Sequence, residues 1–414
     1  MKTKLLVFVM FLIGLTSFSQ NTYVPDDNFE QFLIDSGYDS GPLDDYVPTA
    51  NINTIVFLEI QFLPISDLTG IEDFTALEIL RCNYLQITSL DISQNTSLTW
   101  LDCIDNQLTS LDISQNTALT TLDCQLNQLT NLDVSQNILL TSLTCNDNNI
   151  TSLDVSQNTE LVNLYCGFNE LTSLDLSHNT DLVSLSCSNN ELTTLDLSQN
   201  TLLNILFCDN NQLASLDLSQ NTNLPFLYCY NNNLSNLDVS LNTELRTLNC
   251  SDNQITSLDL SQNTLLAHLI SENNDLNSLN IKNGNNTIIS TNYFRTTGNP
   301  NLTCINVDDV TYSTINWTNI DPQHYFSEDC SALAIDDFEL DGFKLFPNPV
   351  NNEVNISINE EATYVIFNIN GHFLMEGKLK TGDNHLNISK LSDGLYLLKI
   401  RTEKGFIGKK FIKM

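Results

Sequence analysis

A mostly parallel β-solenoid of about eleven or twelve coils, followed by a small β-sandwich, is the fold this 414-residue chain should adopt. Nine cysteines, Cys82 to Cys250, recur at a constant step of 21 residues. Asparagines keep that step three residues later, from Asn106 to Asn274, and a second asparagine column runs from Asn95 to Asn263. After Lys344 the period ends and short alternating apolar segments take over. A fixed period of this length marks a stack of equivalent units, each too small to bury its own apolar face.

The chain begins with a different pattern. Residues 1–19, MKTKLLVFVMFLIGLTSFS, carry Lys2 and Lys4, an apolar run from Leu5 to Leu15, and the end Ser17-Phe18-Ser19. That is a secretory signal, expected to be cut before Gln20. No other segment is apolar over about 18 residues, so no transmembrane span is expected. Residues 20–50 form an N-terminal helical cap: in DDNFEQFLIDSGYD, Asp26–Asp39, the spacing of Phe29, Phe32 and Leu33 predicts a short helix over the first coil.

Each repeat reads L-x-x-L-x-C-x-x-N-x-L-x-x-L-D-[ILV]-S-x-N-x-x. In L-x-C the Leu and Cys share one face of a strand, and the residue between them takes the other. The first coil is expected at Phe57–Ile60 and the last near Phe294–Asn299. A coil this short has no room for a long convex helix, so the LD[ILV]S half should be a short strand or extended segment. The pattern resembles the leucine-rich repeat, L-x-x-L-x-L-x-x-[NC]-x-L, and the lead-in ISDLTGIEDFTALEIL, Ile65–Leu80, is similar to the bacterial internalin-like class. The resemblance runs from about Asn51 to Cys304. It implies an α/β-type leucine-rich repeat solenoid over 51–303 that binds a protein or glycan at the cell surface.

One cysteine per coil is unexpected in an exported chain, where cysteines usually pair. Side chains of in-register parallel strands point the same way, which sets neighbouring Cβ atoms about 4.8 Å apart, beyond disulfide reach. The nine should therefore be free, buried and inert, acting as small hydrophobes. Cys304 and Cys330 break the period and flank a segment without the leucine pattern. Residues 304–330 are expected to cap the stack, with a Cys304–Cys330 disulfide.

Residues 331–343 read as an acidic linker, and 344–414 as short strands separated by turns. The tail resembles the C-terminal sorting domain of the type IX secretion system through KLFPNPV (Lys344–Val350), IFNINGHFL (Ile366–Leu374), LSDGLYLLKI (Leu391–Ile400) and GKKFIKM (Gly408–Met414). That resemblance implies type IX secretion machinery as a partner, passage through the outer membrane, removal of the tail, and a protein that is secreted or held at the outer-membrane surface.

Charge follows the same border. From Gln20 to Gly342 there are 43 acidic residues against four basic ones, a net of −39, while Phe343–Met414 carries +3. Such a body repels nucleic acid and anionic lipid and attracts cations or basic partners. None of the five histidines, His178, His268, His324, His372 and His385, belongs to a nucleophile or zinc motif. No catalysis is expected. Two surfaces remain. Outward columns beside the cysteines hold Tyr165, Phe207, Tyr228 and Tyr230, with Phe226 one column over and Trp100 near the front. Clustered outward aromatics are either ladder stacking or a ligand-binding patch. The column Asp91, Asp112, Asp133, Asp154, Asp175, Asp196, Asp217, Asp238 and Asp259 either bonds its own turns or holds calcium. Adhesion to an extracellular protein or glycan is the expected role; a rigid acidic spacer or scaffold of the cell surface is the alternative.

Overall fold

A computed structural model describes residues 20–330, 343–369, 371–402 and 406–414. The signal segment 1–19 and linker residues 331–342 lie outside the described residues. Two compact units result, 1–328 and 329–414.

The first unit is a parallel solenoid whose ladder has twelve strands, from Phe57–Gln61 to Phe294–Arg295. The end strands sit where the repeat pattern puts them. Equivalent residues stay in register through the stack: Leu206 lies between Leu185 and Leu227, and Phe207 between Ser186 and Tyr228. Leu and Cys point inward and are fully buried in every periodic coil. The nine periodic cysteines are free. Burial pushes the Cys82 and Cys250 thiols up to about 12, which removes the thiolate that oxidation or metal binding needs.

Two asparagine columns hold the coils together. The Nδ2 of Asn127 donates to the carbonyls of Cys103 (2.9 Å) and Cys124 (3.1 Å), while its Oδ1 accepts the backbone N–H of Leu108 (3.0 Å). One amide thus satisfies backbone groups of its own coil and the one before, groups that a three-residue strand leaves unpaired. In the other column, Asn116 Nδ2 donates to the carbonyls of Ile92 and Asn95 at 2.9 and 3.0 Å.

Among the described residues, the opposite side forms strands only at the C-terminal end. Ser257–Asp259, Ser278–Asn280, Cys304–Asn306 and Tyr325–Ser327 make a four-stranded parallel sheet. Earlier coils form no strand there; in all of them, as at Asp259 in the sheet, the column Asp accepts the backbone N–H of the Ser two residues on and the chain then turns.

The ladder strand is followed by a residue with φ between +51° and +57° in eleven coils, beginning at Phe62 and ending at Asn273. A left-handed backbone costs a non-glycine residue about 1–2 kcal/mol, least for Asn and Asp. Later coils use Asn or Asp here, but Phe62, Tyr84, Leu126 and Phe168 do not.

Both ends of the stack are covered. The helix Asp27–Asp35 starts at Asp26, whose Oδ1 accepts the N–H of Asn28 and Phe29 and whose Oδ2 accepts from Ser66. Phe29 from this helix stacks on Phe74 at 6.5 Å, inside the solenoid core. At the far end the helix Val310–Asn316 leads into Trp317, which is buried flat against Phe294 at 4.1 Å. Cys304 and Cys330 are disulfide-bonded, and with the other nine of eleven cysteines free, they bond to each other.

The second unit has two antiparallel sheets. One orders the strands Lys344–Phe346, Glu353–Ile358 and Gly382–Asn387; the other orders Phe373–Leu379, Ala362–Asn368, Gly394–Arg401 and Phe406–Lys413. Alternate residues such as Val354, Ile356, Ile366, Leu398 and Phe411 form its core.

Candidate functional site

The outward face of the ladder is built by alternation. In Ile205-Leu206-Phe207 the central Leu is buried and its neighbours are partly exposed. Beyond Cys208 a third column begins, which is buried at Ser188, Asp209 and Ser251 and partly exposed at Tyr230, so the stack presents three columns on this side.

Phe207 and Tyr228 are register partners and meet edge to face, with ring centroids 4.9 Å apart. Phe226 pairs with Ile205 and leaves 37% of its surface exposed. Tyr230 stands in the third column; burial and the Asp209 carboxylate beside it raise its hydroxyl above the ordinary value. Tyr165 is two coils away, and its hydroxyl donates to Ser184 Oγ at 3.0 Å. Phe207, Phe226, Tyr228 and Tyr230 line two adjoining coils of one face, and the Ser184–Ser186 coil separates Tyr165 from them.

Trp100 shares the column of Phe226 but lies six coils away, in a separate cluster. Its indole N–H donates to Asp102 Oδ1 at 2.6 Å, and the Arg81 guanidinium sits 5.4 Å from its ring and 6.0 Å from Phe57. Arg81 also pairs with Asp102 at 3.2 Å and Glu59 at 3.7 Å. The next carboxylate in the column, Asp123, has no such cation, and burial pushes it up to about 6.

The nine column aspartates from Asp91 to Asp259 each accept the backbone N–H of the Ser two residues later, at 2.9–3.0 Å. That bond holds Asp112, Asp133, Asp154, Asp175, Asp196, Asp217 and Asp238 below the usual carboxylate range. Backbone donors thus offset the repulsion along the row. A shallow hollow of about 210 Å³ lies against this row, between Asp217 and Asp238. A third acidic group, Asp27, Glu30 and Asp45, converges within 4.8 Å, but both Glu30 oxygens already accept backbone N–H groups of Asp44 and Asp45.

The repeat pattern gave no notice of the turn residues Phe62, Tyr84, Leu126 and Phe168, which are 72%, 40%, 43% and 54% exposed. For Leu126 and Phe168 the available signal was a bulky residue just before the column asparagine, where later coils carry Asn or Asp; Phe62 and Tyr84 precede leucines and carry no such mark.

Comparison with known proteins fits this geometry. Over 96% of this chain and 99% of that one, the structure superposes on the functional domain of InlJ from Listeria monocytogenes, described as including a cysteine ladder, with TM-score 0.65 and 29% identity. The solenoid is internalin-like. A curated relative, Internalin J of Listeria monocytogenes serotype 4b, is 40% identical over 78 residues, 19% of this chain and only 8% of that protein's length. An internalin, inlF, from the same species shares the fold at TM-score 0.55 and 23% identity, covering 72% of this chain and 95% of that one. Residues 344–414 match the family model of the secretion system C-terminal sorting domain. The chain is a leucine-rich repeat protein with a type IX sorting tail, a signal that directs it to the cell surface or outside. Among the described residues, no helix is long and apolar enough to cross a membrane.

Proposed function

We propose that the solenoid is a recognition module without catalytic activity, which binds an extracellular protein or glycan through Tyr165, Phe207, Phe226, Tyr228 and Tyr230. The observation that carries this reading is the grouping of Phe207, Phe226, Tyr228 and Tyr230 on two adjoining coils, with Tyr165 two coils before Phe207. The coils on either side of that pair carry only small polar residues at the same positions, Ser184, Ser186 and Ser188 before it and Thr247, Asn249 and Ser251 after it. Rigid aromatic side chains supply most of the energy of protein interfaces at low entropic cost. The internalin-like fold supports the reading by analogy, because it presents a continuous face of this kind. Trp100 is left out of the patch, since its indole and the Arg81 beside it already satisfy one another's surroundings. Calcium along the aspartate row is proposed only as a ligand of the solvent side of those carboxylates, since their turn bonds are complete without it.

The test is direct binding of extracellular proteins and a glycan array to the wild-type chain and to a Phe207→Ser/Tyr228→Ser/Tyr230→Ser variant. A ligand held by the first and lost by the second supports a recognition module. Identical behaviour of the two, with no ligand found, supports the acidic spacer.

A further inference from the structure

Phe62, Tyr84, Leu126 and Phe168 occupy the left-handed turn after the ladder strand, in a column distinct from the three that carry the aromatic patch. At the same position the coils from Asn189 to Asn273 carry only Asn or Asp, which suit the turn for two reasons. Short polar side chains tolerate positive φ, and they bond along the stack: Asn231 donates to Asn210 at 2.7 Å and Asn273 to Asp252 at 2.9 Å. The four residues combine a strained backbone with a large exposed side chain; Phe62 and Tyr84 recover part of that cost by stacking on each other, whereas Leu126 and Phe168 have no ring partner among the described residues. Strain and exposed apolar surface that recur on one edge are accounted for by contact with something outside the fold.

The chemistry of that contact is set by the residue between two of them. Asp147 holds the same turn position one coil from Leu126 and one from Phe168, about 4.8 Å from each along the stack. Burial raises its carboxyl above the ordinary value. Among the described residues no ion pair reaches it: of the four basic ones in this unit, Arg81 pairs with Glu59 and Asp102, Arg295 with Glu272, Lys282 donates to the Glu328 carbonyl, and Arg246 lies five coils away in sequence. The surrounding body carries −39, so any approaching macromolecule with basic groups is drawn toward it.

We propose that Leu126, Asp147 and Phe168 form a seat for a Lys or Arg side chain of a basic partner protein. The methylene stem lies along Leu126 and Phe168, and the cation reaches the Asp147 carboxylate. Long basic side chains bury their stems on apolar surface while the charge is held at a polar tip. A carboxylate flanked by two apolar groups offers both parts of that contact. The stacked pair Phe62 and Tyr84, 4.5 Å apart and within 8° of parallel, continues the same edge toward the N-terminal end and extends the surface beyond a single side chain. This surface is independent of the aromatic patch.

The full chain is titrated into a fluorescein-labelled (Arg-Ala)4 peptide at about 0.15 M salt, and anisotropy is read. Asp147→Asn should weaken binding about tenfold, and Leu126→Asn and Phe168→Asn several-fold each, as expected for loss of a charge-assisted contact and of its apolar flanks. Asp154→Asn, the same change of charge on the opposite side of the coil, should alter it less than about twofold, as a screened surface charge does. The melting temperatures of Leu126→Asn and Phe168→Asn should equal or exceed that of the wild type, because Asn relieves the turn. Equal losses for Asp147→Asn and Asp154→Asn would reduce the effect to bulk charge and overturn the proposal. So would a lowered melting temperature in the two Asn variants, which would show that Leu126 and Phe168 serve the fold. The Phe207/Tyr228/Tyr230 triple-Ser variant should bind the peptide like the wild type; loss of binding there would place the cation on the other face and overturn the proposal.

Discussion

Phe207 and Tyr228 stand one coil apart in register and contact edge to face at 4.9 Å. The pair is half-exposed and lies outside the leucine core, so its contribution to the fold is small: an edge-to-face pair adds about 0.5–1.5 kcal/mol beyond area burial. Replacing both with Ser should lower the unfolding free energy by about that amount for the pair, plus the burial of two partly exposed rings, measured by urea denaturation. A loss typical of core leucines would mean that these rings are structural and would weaken their assignment to a ligand.

Asn148 carries far more. Its Nδ2 donates to the carbonyls of Cys124 and Cys145, and its Oδ1 accepts the N–H of Leu129, all at a buried site. Asn148→Ala orphans these groups, each worth about 1–3 kcal/mol when left unpaired. The urea midpoint should fall clearly, and amide exchange should accelerate at Leu129 first. A near-neutral result would show that the columns are not what joins coil to coil.

The nine periodic cysteines should resist a maleimide in the folded chain and react fully once it is denatured, because burial keeps them protonated. Mass spectrometry after labelling reads this out. Rapid labelling of Cys166 or Cys187 in the native state would contradict the buried ladder. Reductant alone should affect Cys304 and Cys330, loosening the C-terminal cap while the central coils keep their protection.

Stability should pass through a maximum on acidification. Asp123 is raised in the folded state, to about 6, so ionising it disfavours the fold; that penalty fades as pH falls from about 6 toward the unfolded value near 3.8. Asp112, Asp133 and Asp154 are lowered in the folded state, so their contribution is present above the unfolded value and is lost as pH falls through the folded one. The melting temperature should rise slightly from pH 7 to about 5 and drop below about 4, and Asp123→Asn should flatten the rise. A steady fall from pH 7 downward, unchanged in that variant, would contradict the assignment.

Most of the solenoid is legible in the sequence because one period repeats in every property that matters. Leu and Cys give the inward face, Asn the bonded turn, and the loss of period at Cys304 the cap. What escapes is whatever depends on backbone conformation rather than residue type. LDLSQN reads as a second short strand or an extended segment, and among the described residues strands form on that side only near the C-terminal end, although the Asp-to-Ser bond is the same in coils with and without them. Leu126 and Phe168 have no propensity for positive φ; the stack imposes it, and only their place before a column asparagine, compared with other coils, marks it. The outward aromatics were legible as a set, but their grouping was not: register joins Phe207 to Tyr228, whereas Trp100 belongs with Arg81 and Asp102.

The measurement that tests the central claim most directly is capture of extracellular proteins and glycans by the full chain, side by side with the Phe207→Ser/Tyr228→Ser/Tyr230→Ser variant at matched melting temperature. The account predicts a ligand retained by the wild type and released by the variant. A ligand retained equally by both, or none by either, would contradict recognition through this face and leave the solenoid an acidic spacer.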